Sequence, residues 1–345
     1  MPAHLDDIGP ALVPAAAGLV TAGLIVMLRP FLVRYALARP NARSLHTAPT
    51  PQGGGIAVML ATLAASCAAG PFLGLGEADW RTLARLSGAA AGLTLVGGID
   101  DVRPLPAAPR LVLQIALAAL AISALPGNVR LVEAVPIEVE RSILVVALAG
   151  FVNLTNFMDG MDWMTVAEIV PVSAALAAFA ALGVLPPSTG LIALALAGAM
   201  VGFAPFNAPV ARLFLGDVGS LPIGLLIGYG LIDLALRRES AAAVLLPLYY
   251  LADGGSTLLR RALRGAPLWK AHREHFYQLA VVRGLTTAEC IAGVFGLNVM
   301  LAALAFASHA AGSATVSALF VVAGLALTAL LLRRFARGKS SGRSC

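Results

Sequence analysis

The sequence predicts an all-α protein that crosses a lipid bilayer many times. Of its 345 residues, 59% are hydrophobic and 12% are charged, and the mean hydropathy is +0.86. Soluble domains average roughly 25% charged residues, so the composition excludes an ordinary soluble protein. The apolar residues also form repeated stretches near the length of about 20 residues that a helix needs to span a bilayer. The predicted fold class is therefore a polytopic transmembrane helical bundle.

Eleven segments are apolar enough to be transmembrane helices. In chain order they are 12–33, 53–76, 84–101, 109–125, 141–156, 165–184, 190–207, 218–235, 241–259, 286–308 and 314–332. The first is expected to be a retained span and not a cleaved signal, because the chain opens MPAHLDD without a basic region. We predict one membrane domain over 1–345, with its motifs between about 40 and 280 and a basic tail at 333–345.

The distribution of basic residues predicts the orientation. If the N-terminus lies outside, 17 of the 24 Lys and Arg residues fall on the cytoplasmic side and 6 on the outside. This asymmetry follows the positive-inside rule, so the C-terminus is expected in the cytoplasm. The net charge of +6 is spread between the spans and does not indicate nucleic-acid binding. The three cysteines are scattered and form no metal-ligand spacing.

Two acidic motifs end or begin predicted spans. Asp100 and Asp101 close the third span in GGIDDVRP. Adjacent carboxylates repel each other, so they are either ordinary interfacial residues in water or functional groups that bind a divalent cation or act as a general base. Asp217 lies in FLGDVGSLPIG between Gly216 and Gly219 at the start of the eighth span. This pattern is typical either of a capped helix start or of a close approach to an anion.

A third motif, NLTNFMDGMD, carries Asn153, Asn156, Asp159 and Asp162 at successive spacings of three. On a helix or a tight helical turn, these side chains would lie on one face. A polar stripe at the mouth of a span is unusual for a surface that faces lipid. The motif indicates either a binding surface or a solvated loop.

Two further loops add polar and basic side chains. RSLHTAPTPQGGGIAV contains His46 and Thr50, and it is either a rigid turn before a packed helix or a ligand contact. WKAHREHFYQ contains His272, Arg273 and His275. Two histidines without a nearby cysteine are a weak zinc signal, whereas this mixture suits phosphate contacts. The alternative is the ordinary basic charge of a cytoplasmic loop.

In their order along the chain, these motifs resemble the polyprenyl-phosphate N-acetylhexosamine-1-phosphate transferase family (glycosyltransferase family 4), and within it the type that initiates O-antigen synthesis. The resemblance covers residues from about 40 to 280. It implies transfer of a sugar 1-phosphate from a UDP-N-acetylhexosamine to undecaprenyl phosphate, with release of UMP. It also implies Mg²⁺ or Mn²⁺ as the cofactor, and a site on the cytoplasmic face of the bacterial inner membrane.

The resemblance also implies roles for individual residues. Asp100, Asp101 and Asp217 match the family's catalytic acids, and Asp100 is the candidate for deprotonating the lipid phosphate. The implied metal ligands are Asp217, Asp101 and Asn153. The implied substrate-binding residues are Asn153, Asn156, Asp159, Asp162, His272, Arg273, His275, His46 and Thr50.

Two positions depart from the family pattern. Trp163 follows Asp162 where the family has glycine, and Gln52 stands where the family often has a cation.

The predicted partners are the UDP-sugar, undecaprenyl phosphate and the lipid bilayer, without nucleic acid, and the sequence does not decide whether the protein is a homodimer. One alternative is a transporter or flippase that uses Asp253 or the paired acids as proton carriers. Another is a receptor or scaffold that has lost catalysis.

Overall fold

A computed structural model of the protein describes residues 9–38, 49–267 and 273–339. These residues form a helical bundle whose thirteen α-helices are α1 Gly9–Tyr35, α2 Gly54–Ala69, α3 Glu77–Val102, α4 Ala107–Ile122, α5 Ile137–Met158, α6 Met164–Ala181, α7 Pro187–Phe203, α8 Asp217–Leu236, α9 Ser240–Leu245, α10 Leu248–Leu263, α11 Phe276–Val282, α12 Thr287–Ala311 and α13 Ala314–Arg337. A 3-10 turn follows α7 at Ala204–Phe206. Two short antiparallel strands, β1 (Leu37–Ala38) and β2 (Thr50–Pro51), pair beside α1.

The helices confirm a multi-pass membrane protein. Among the described residues, seven helices are long and apolar enough to cross a membrane: α1, α3, α6, α7, α8, α12 and α13. The apolar helices α2 and α4 are shorter, at 16 residues each. All eleven predicted segments fall on helices, but the ninth, 241–259, is divided between α9 and α10 by Leu246 and Pro247. The span count of eleven and the orientation of the termini stay predictions.

Helix α8 lies at the centre of the bundle and is almost wholly buried. It is packed against α2, α3 and α5. Two glycines allow the closest approaches to it. A Cβ on Gly97 of α3 would lie 2.3 Å from the Asp217 carbonyl oxygen, and one on Gly55 of α2 would lie 2.2 Å from the Gly219 Cα. The start of α8 is therefore held at backbone-to-backbone distance from two neighbouring helices.

This close packing gives a stability prediction within α3. Gly97→Ala is expected to destabilise the protein by about 1–3 kcal/mol, the usual cost of forcing extra volume into a packed interior. Gly88→Ala is the matched control, because its Cβ would meet only a Leu120 methyl group at 3.9 Å. The control is expected to be neutral or to stabilise the helix by up to about 1 kcal/mol. Thermal unfolding in detergent measures both, and equal melting temperatures for the two variants would contradict the packing described here.

Candidate active site at one end of the bundle

The candidate site is built where α3 and α5 end and where α2, α4 and α8 begin. The segment before α2 is joined to the segment before α8 by backbone hydrogen bonds. The Phe214 N–H donates to the Pro51 carbonyl (2.8 Å), the Gly54 N–H to Phe214 (3.0 Å) and the Gly55 N–H to Leu215 (2.9 Å). The glycine-rich stretch and the Asp217 motif, which are far apart in sequence, are thus held side by side by backbone hydrogen bonds.

Asp101 caps the start of α8. Its Oδ1 accepts the Asp217 N–H (3.0 Å), and its Oδ2 accepts the Val218 N–H (3.1 Å). A carboxylate at this end of a helix is stabilised by the helix dipole. Gly216 makes the arrangement possible, because it has a φ of 79° and a Cβ there would lie 2.5 Å from Asp101 Oδ2. Gln52 adds a hydrogen bond from Nε2 to the Asp101 carbonyl (2.9 Å). The geometry gives Asp101 a positioning role, and its predicted metal role stays a prediction.

Asp100 does not contact α8 through these hydrogen bonds and instead forms an ion pair with Arg110 of α4. Its Oδ1 accepts the Leu105 N–H (2.6 Å) and its Oδ2 accepts from the Arg110 guanidinium. The same guanidinium nitrogen lies 3.6 Å from Asp217 Oδ2. The Asp217 side chain is 28% exposed and that of Asp100 is 9% exposed, so Asp217 is the more accessible of the two carboxylates.

Arg110 was not among the residues that the sequence predicted for the site, where it counted only as a cytoplasmic charge. A short connection, residues 103–106, folds the first turn of α4 back beside the end of α3. The sequence signal that could have identified Arg110 is its place in the first turn of a helix that follows the paired acids after a short connection. Arg110 therefore supplies positive charge between two site carboxylates.

Asn156 of α5 holds Asp217 from the opposite side. Its Nδ2 donates to Asp217 Oδ1 (2.7 Å) and to Ser220 Oγ (2.9 Å). Asn153, one turn earlier, instead donates to Gln114 Oε1 of α4 (2.7 Å) and to the Ala149 carbonyl. Both asparagines of the predicted stripe therefore lie near the site, but only Asn156 contacts a site carboxylate through the hydrogen bonds described.

The helical stripe does not continue to the two acids that follow. Helix α5 ends at Met158, and Asp159 and Asp162 lie in the loop before α6. Asp159 Oδ1 accepts the Thr165 hydroxyl (2.5 Å), and Asp162 Oδ2 accepts the Ala211 N–H (3.0 Å). Burial raises the pKa of Asp159 to about 6; the Thr165 hydrogen bond opposes this rise, and the charges of Asp101 and Asp162 add to it. The loop begins directly after α5, whose Asn156 contacts Asp217, so it starts beside the site.

Asp253 and His275 form a buried pair at the start of α11. His275 Nδ1 lies 3.3 Å from Asp253 Oδ1, and both side chains are almost completely buried. The Asp253 carboxylate also accepts the Phe276 N–H (2.9 Å) and the Tyr277 N–H (3.2 Å). Asp253 thus caps α11 and has a structural hydrogen-bonding role. The substrate contact predicted for His275 stays a prediction.

The remaining predicted residues lie at the edges of the described structure. Thr50 is buried in β2, and Arg273 is exposed just before α11. His46 and His272 lie outside the described residues. Their predicted substrate contacts stay predictions.

The donor set of the site fits a hard divalent cation. Within residues 9–38, 49–267 and 273–339, no three His, Cys, Asp or Glu side chains are placed to hold a metal together. Mg²⁺ does not need such a cage, because it is commonly bound through one or two carboxylates and completes its shell with water and substrate phosphates. Asp217 and Asp100, with Arg110 between them, match that mode. Structural zinc, which takes four Cys or His ligands, does not fit.

The fold and the site define a multi-pass membrane protein with a carboxylate-rich centre at one end of its bundle. Residues 83–235 match the family model for glycosyl transferase family 4. The matched stretch covers just under half of the chain and includes Asp100, Asp101, Arg110, Asn156 and Asp217.

Individual relatives agree with this family. The chain is 30% identical over 241 residues to the decaprenyl-phosphate N-acetylglucosaminephosphotransferase of Mycolicibacterium smegmatis, covering 63% of this chain and 58% of the relative. It is 24% identical over 288 residues to the probable undecaprenyl-phosphate N-acetylglucosaminyl 1-phosphate transferase of Bacillus subtilis, covering 76% and 75%. A phospho-N-acetylmuramoyl-pentapeptide-transferase of Clostridium beijerinckii is 31% identical over 173 residues, covering 45% and 50%. The chain thus spans 58% of the mycolicibacterial relative's length.

Proposed function

We propose that the protein transfers an N-acetylhexosamine 1-phosphate from a UDP-sugar to undecaprenyl phosphate and releases UMP. The observation that carries the proposal is the accessible carboxylate of Asp217, fixed by Asn156 and lying beside Arg110 and Asp100. Carboxylates and a guanidinium at one point suit a diphosphate and its cation. The names of the mycolicibacterial and Bacillus relatives support a polyprenyl-phosphate acceptor and an N-acetylglucosamine phosphate group.

The chemistry follows from how these side chains are held. An oxygen of the lipid phosphate attacks the sugar-linked phosphorus, and the bond from that phosphorus to the UMP oxygen breaks. Mg²⁺ or Mn²⁺, held by Asp217 and Asp100, would neutralise the charge on the phosphate oxygens. Arg110 binds and orients a phosphate through its planar donors. Asp100 has both oxygens hydrogen-bonded and so orients Arg110; its part in deprotonating the acceptor stays a prediction.

The site's position suits one substrate in lipid and one in water. Its residues lie at helix ends of a bundle whose outer surface carries many exposed apolar side chains. A polyprenyl chain is soluble only in the bilayer, and a UDP-sugar only in water, so the two meet at a membrane surface. We place this surface on the cytoplasmic face of the bacterial inner membrane, and the product at the start of an O-antigen-like polysaccharide.

The test is to identify the released nucleotide. Purified protein in detergent is incubated with undecaprenyl phosphate, Mg²⁺ and a panel of UDP-linked N-acetylglucosamine, N-acetylfucosamine and N-acetylquinovosamine. We expect UMP, dependent on the acceptor, lost on adding EDTA and restored by excess Mg²⁺. Release of UDP would mean transfer of the sugar alone and would overturn the mechanism. Absence of nucleotide release with every donor would count against the function itself.

The transporter alternative finds less support in the geometry. It relies on Asp253 or the paired acids as proton carriers. The Asp253 carboxylate accepts two backbone N–H groups and the Tyr249 hydroxyl and lies beside His275. Such contacts are typical of a structural helix cap. The receptor alternative is decided by the same nucleotide assay, because it requires UDP-sugar binding without UMP release.

A further inference from the structure

Trp163 has an unusual backbone conformation for a large residue. Its φ is 61°, in the left-handed region, and among the described residues Arg238 alone shares a positive φ without being glycine. L-amino acids with bulky side chains avoid this region because Cβ approaches the following carbonyl oxygen. Such a conformation persists only where the surroundings hold it. The contacts of Trp163 must therefore stabilise this conformation.

Two hydrogen bonds join Trp163 to the segment after α7. Its backbone N–H donates to Asn207 Oδ1 (2.8 Å), and its indole Nε1–H donates to the Ala204 carbonyl (2.7 Å). We call residues 159–163 the acid loop and residues 204–213 the bracing loop. The first bond is available to any residue at this position, whereas the second belongs to the tryptophan side chain.

Two more hydrogen bonds complete the connection. Asp162 Oδ2 accepts the Ala211 N–H (3.0 Å), which ties the acid loop to the far end of the bracing loop. Asn207 Nδ2 donates to the Leu213 carbonyl (3.0 Å), which closes the bracing loop on itself. The acid loop is thus fixed on a second loop that is itself internally closed.

Asp217, which lies beside Arg110, is held by a different set of contacts. Asp217 is fixed by the Asp101 cap and by Asn156. Neither contact involves Trp163 or the bracing loop. A loosened bracing loop would therefore move Asp159 and Asp162 while leaving the reacting end of the site in place.

We propose that Trp163 is a positioning residue whose indole fixes the acid loop, which carries the predicted substrate-binding residues Asp159 and Asp162, for binding the donor. This inference rests on the proposed function for the identity of the donor. The proposal explains why tryptophan stands here in place of glycine. The indole supplies a hydrogen bond that glycine lacks, although the backbone is strained.

Kinetics of three variants test the effect on the donor. Trp163→Phe keeps an aromatic ring but loses the bond to Ala204, and Trp163→Gly also relieves the backbone strain, so it should fold. We expect KM for the UDP-sugar to rise about threefold to tenfold in Trp163→Phe, the factor for one lost hydrogen bond, and further in Trp163→Gly, with kcat changed less than about twofold. Trp80→Phe, at the opposite end of α3 from Asp100, is the control and should match wild type. An unchanged KM, or a fall in kcat alone, would overturn the proposal.

Limited proteolysis tests the brace independently of any activity. Arg212 is an exposed trypsin site within the bracing loop. Cleavage after Arg212, followed by fragment mass, is expected to be about threefold faster or more in Trp163→Gly, because local opening exposes the backbone. Trp80→Phe should be cleaved like wild type. Equal cleavage rates in Trp163→Gly and wild type would overturn the proposal that the indole fixes the acid loop to the bracing loop. If wild type released no UMP from any donor, the proposed function would fail while this measurement still decided the brace.

Discussion

Asp217→Asn is expected to lower the rate of UMP release by about a thousandfold, the scale seen when an electrostatic group is removed from the reacting centre. The substitution keeps the shape of the side chain but removes the charge that would hold the cation. Asparagine still offers an oxygen to the Asn156 amide that donates at 2.7 Å, so the start of α8 should stay in place. We therefore expect normal membrane insertion and a melting temperature within a few degrees of wild type.

Asp233→Asn is the matched control, since it is the same change in the same helix. Asp233 lies sixteen residues further along α8, roughly 24 Å away at 1.5 Å per residue. Its carboxylate is paired with Arg237 (3.0 Å) and accepts the Thr189 hydroxyl (3.1 Å). The control should retain activity within a few fold while losing some stability. Near-normal turnover of Asp217→Asn would remove this residue from the metal role.

The course of the helices could be predicted well because hydropathy reports directly on burial in lipid. All eleven apolar segments fall on helices. The ninth divides because Pro247 lacks the N–H that would continue the helix, and it is the N-cap residue of α10 instead. An apolar run shows that a segment is buried, but not whether its helix is continuous.

The roles of the acids could be predicted less well, because remote backbone groups decide them. Asp79 accepts the Ser188 N–H at the start of α7, Asp101 caps α8, and Asp253 caps α11. The two residues joined by the Asp101 cap are 116 positions apart. No local pattern distinguishes such a cap from a catalytic acid. The same limit hid Arg110, whose partners become visible only once α4 folds back on α3.

The paired acids give the second large expected effect, because the geometry assigns neighbouring residues different work. Asp101→Asn turns an amide group toward a backbone N–H of α8 and removes the charge at its positive end. We expect a loss of about 2 kcal/mol in stability, the range for a hydrogen bond to a charged group. The activity should fall about a hundredfold, because small displacements of a reacting group have effects of that size. Thermal unfolding and UMP release measure the two effects.

Asp100→Asn should show the reverse balance. Its remaining oxygen still accepts the Leu105 N–H, so the fold loses little, but the charge that orients Arg110 is gone. We expect a loss of activity at least as large as in Asp101→Asn, with a smaller change in melting temperature.

A Mg²⁺ titration separates positioning from metal binding in the paired acids. If Asp101 acts through α8, the Mg²⁺ concentration at half-maximal rate should be unchanged in Asp101→Asn, although the maximal rate falls. If Asp101 binds the cation itself, that concentration should rise about tenfold or more while the melting temperature stays near wild type, since one ligand would be worth at least 1.4 kcal/mol. The second result would require the Asp101 carboxylate to leave the α8 N–H groups when metal binds. Two adjacent carboxylates at a membrane surface would then both serve the cation, instead of one serving the reaction and the other serving the helix that presents Asp217.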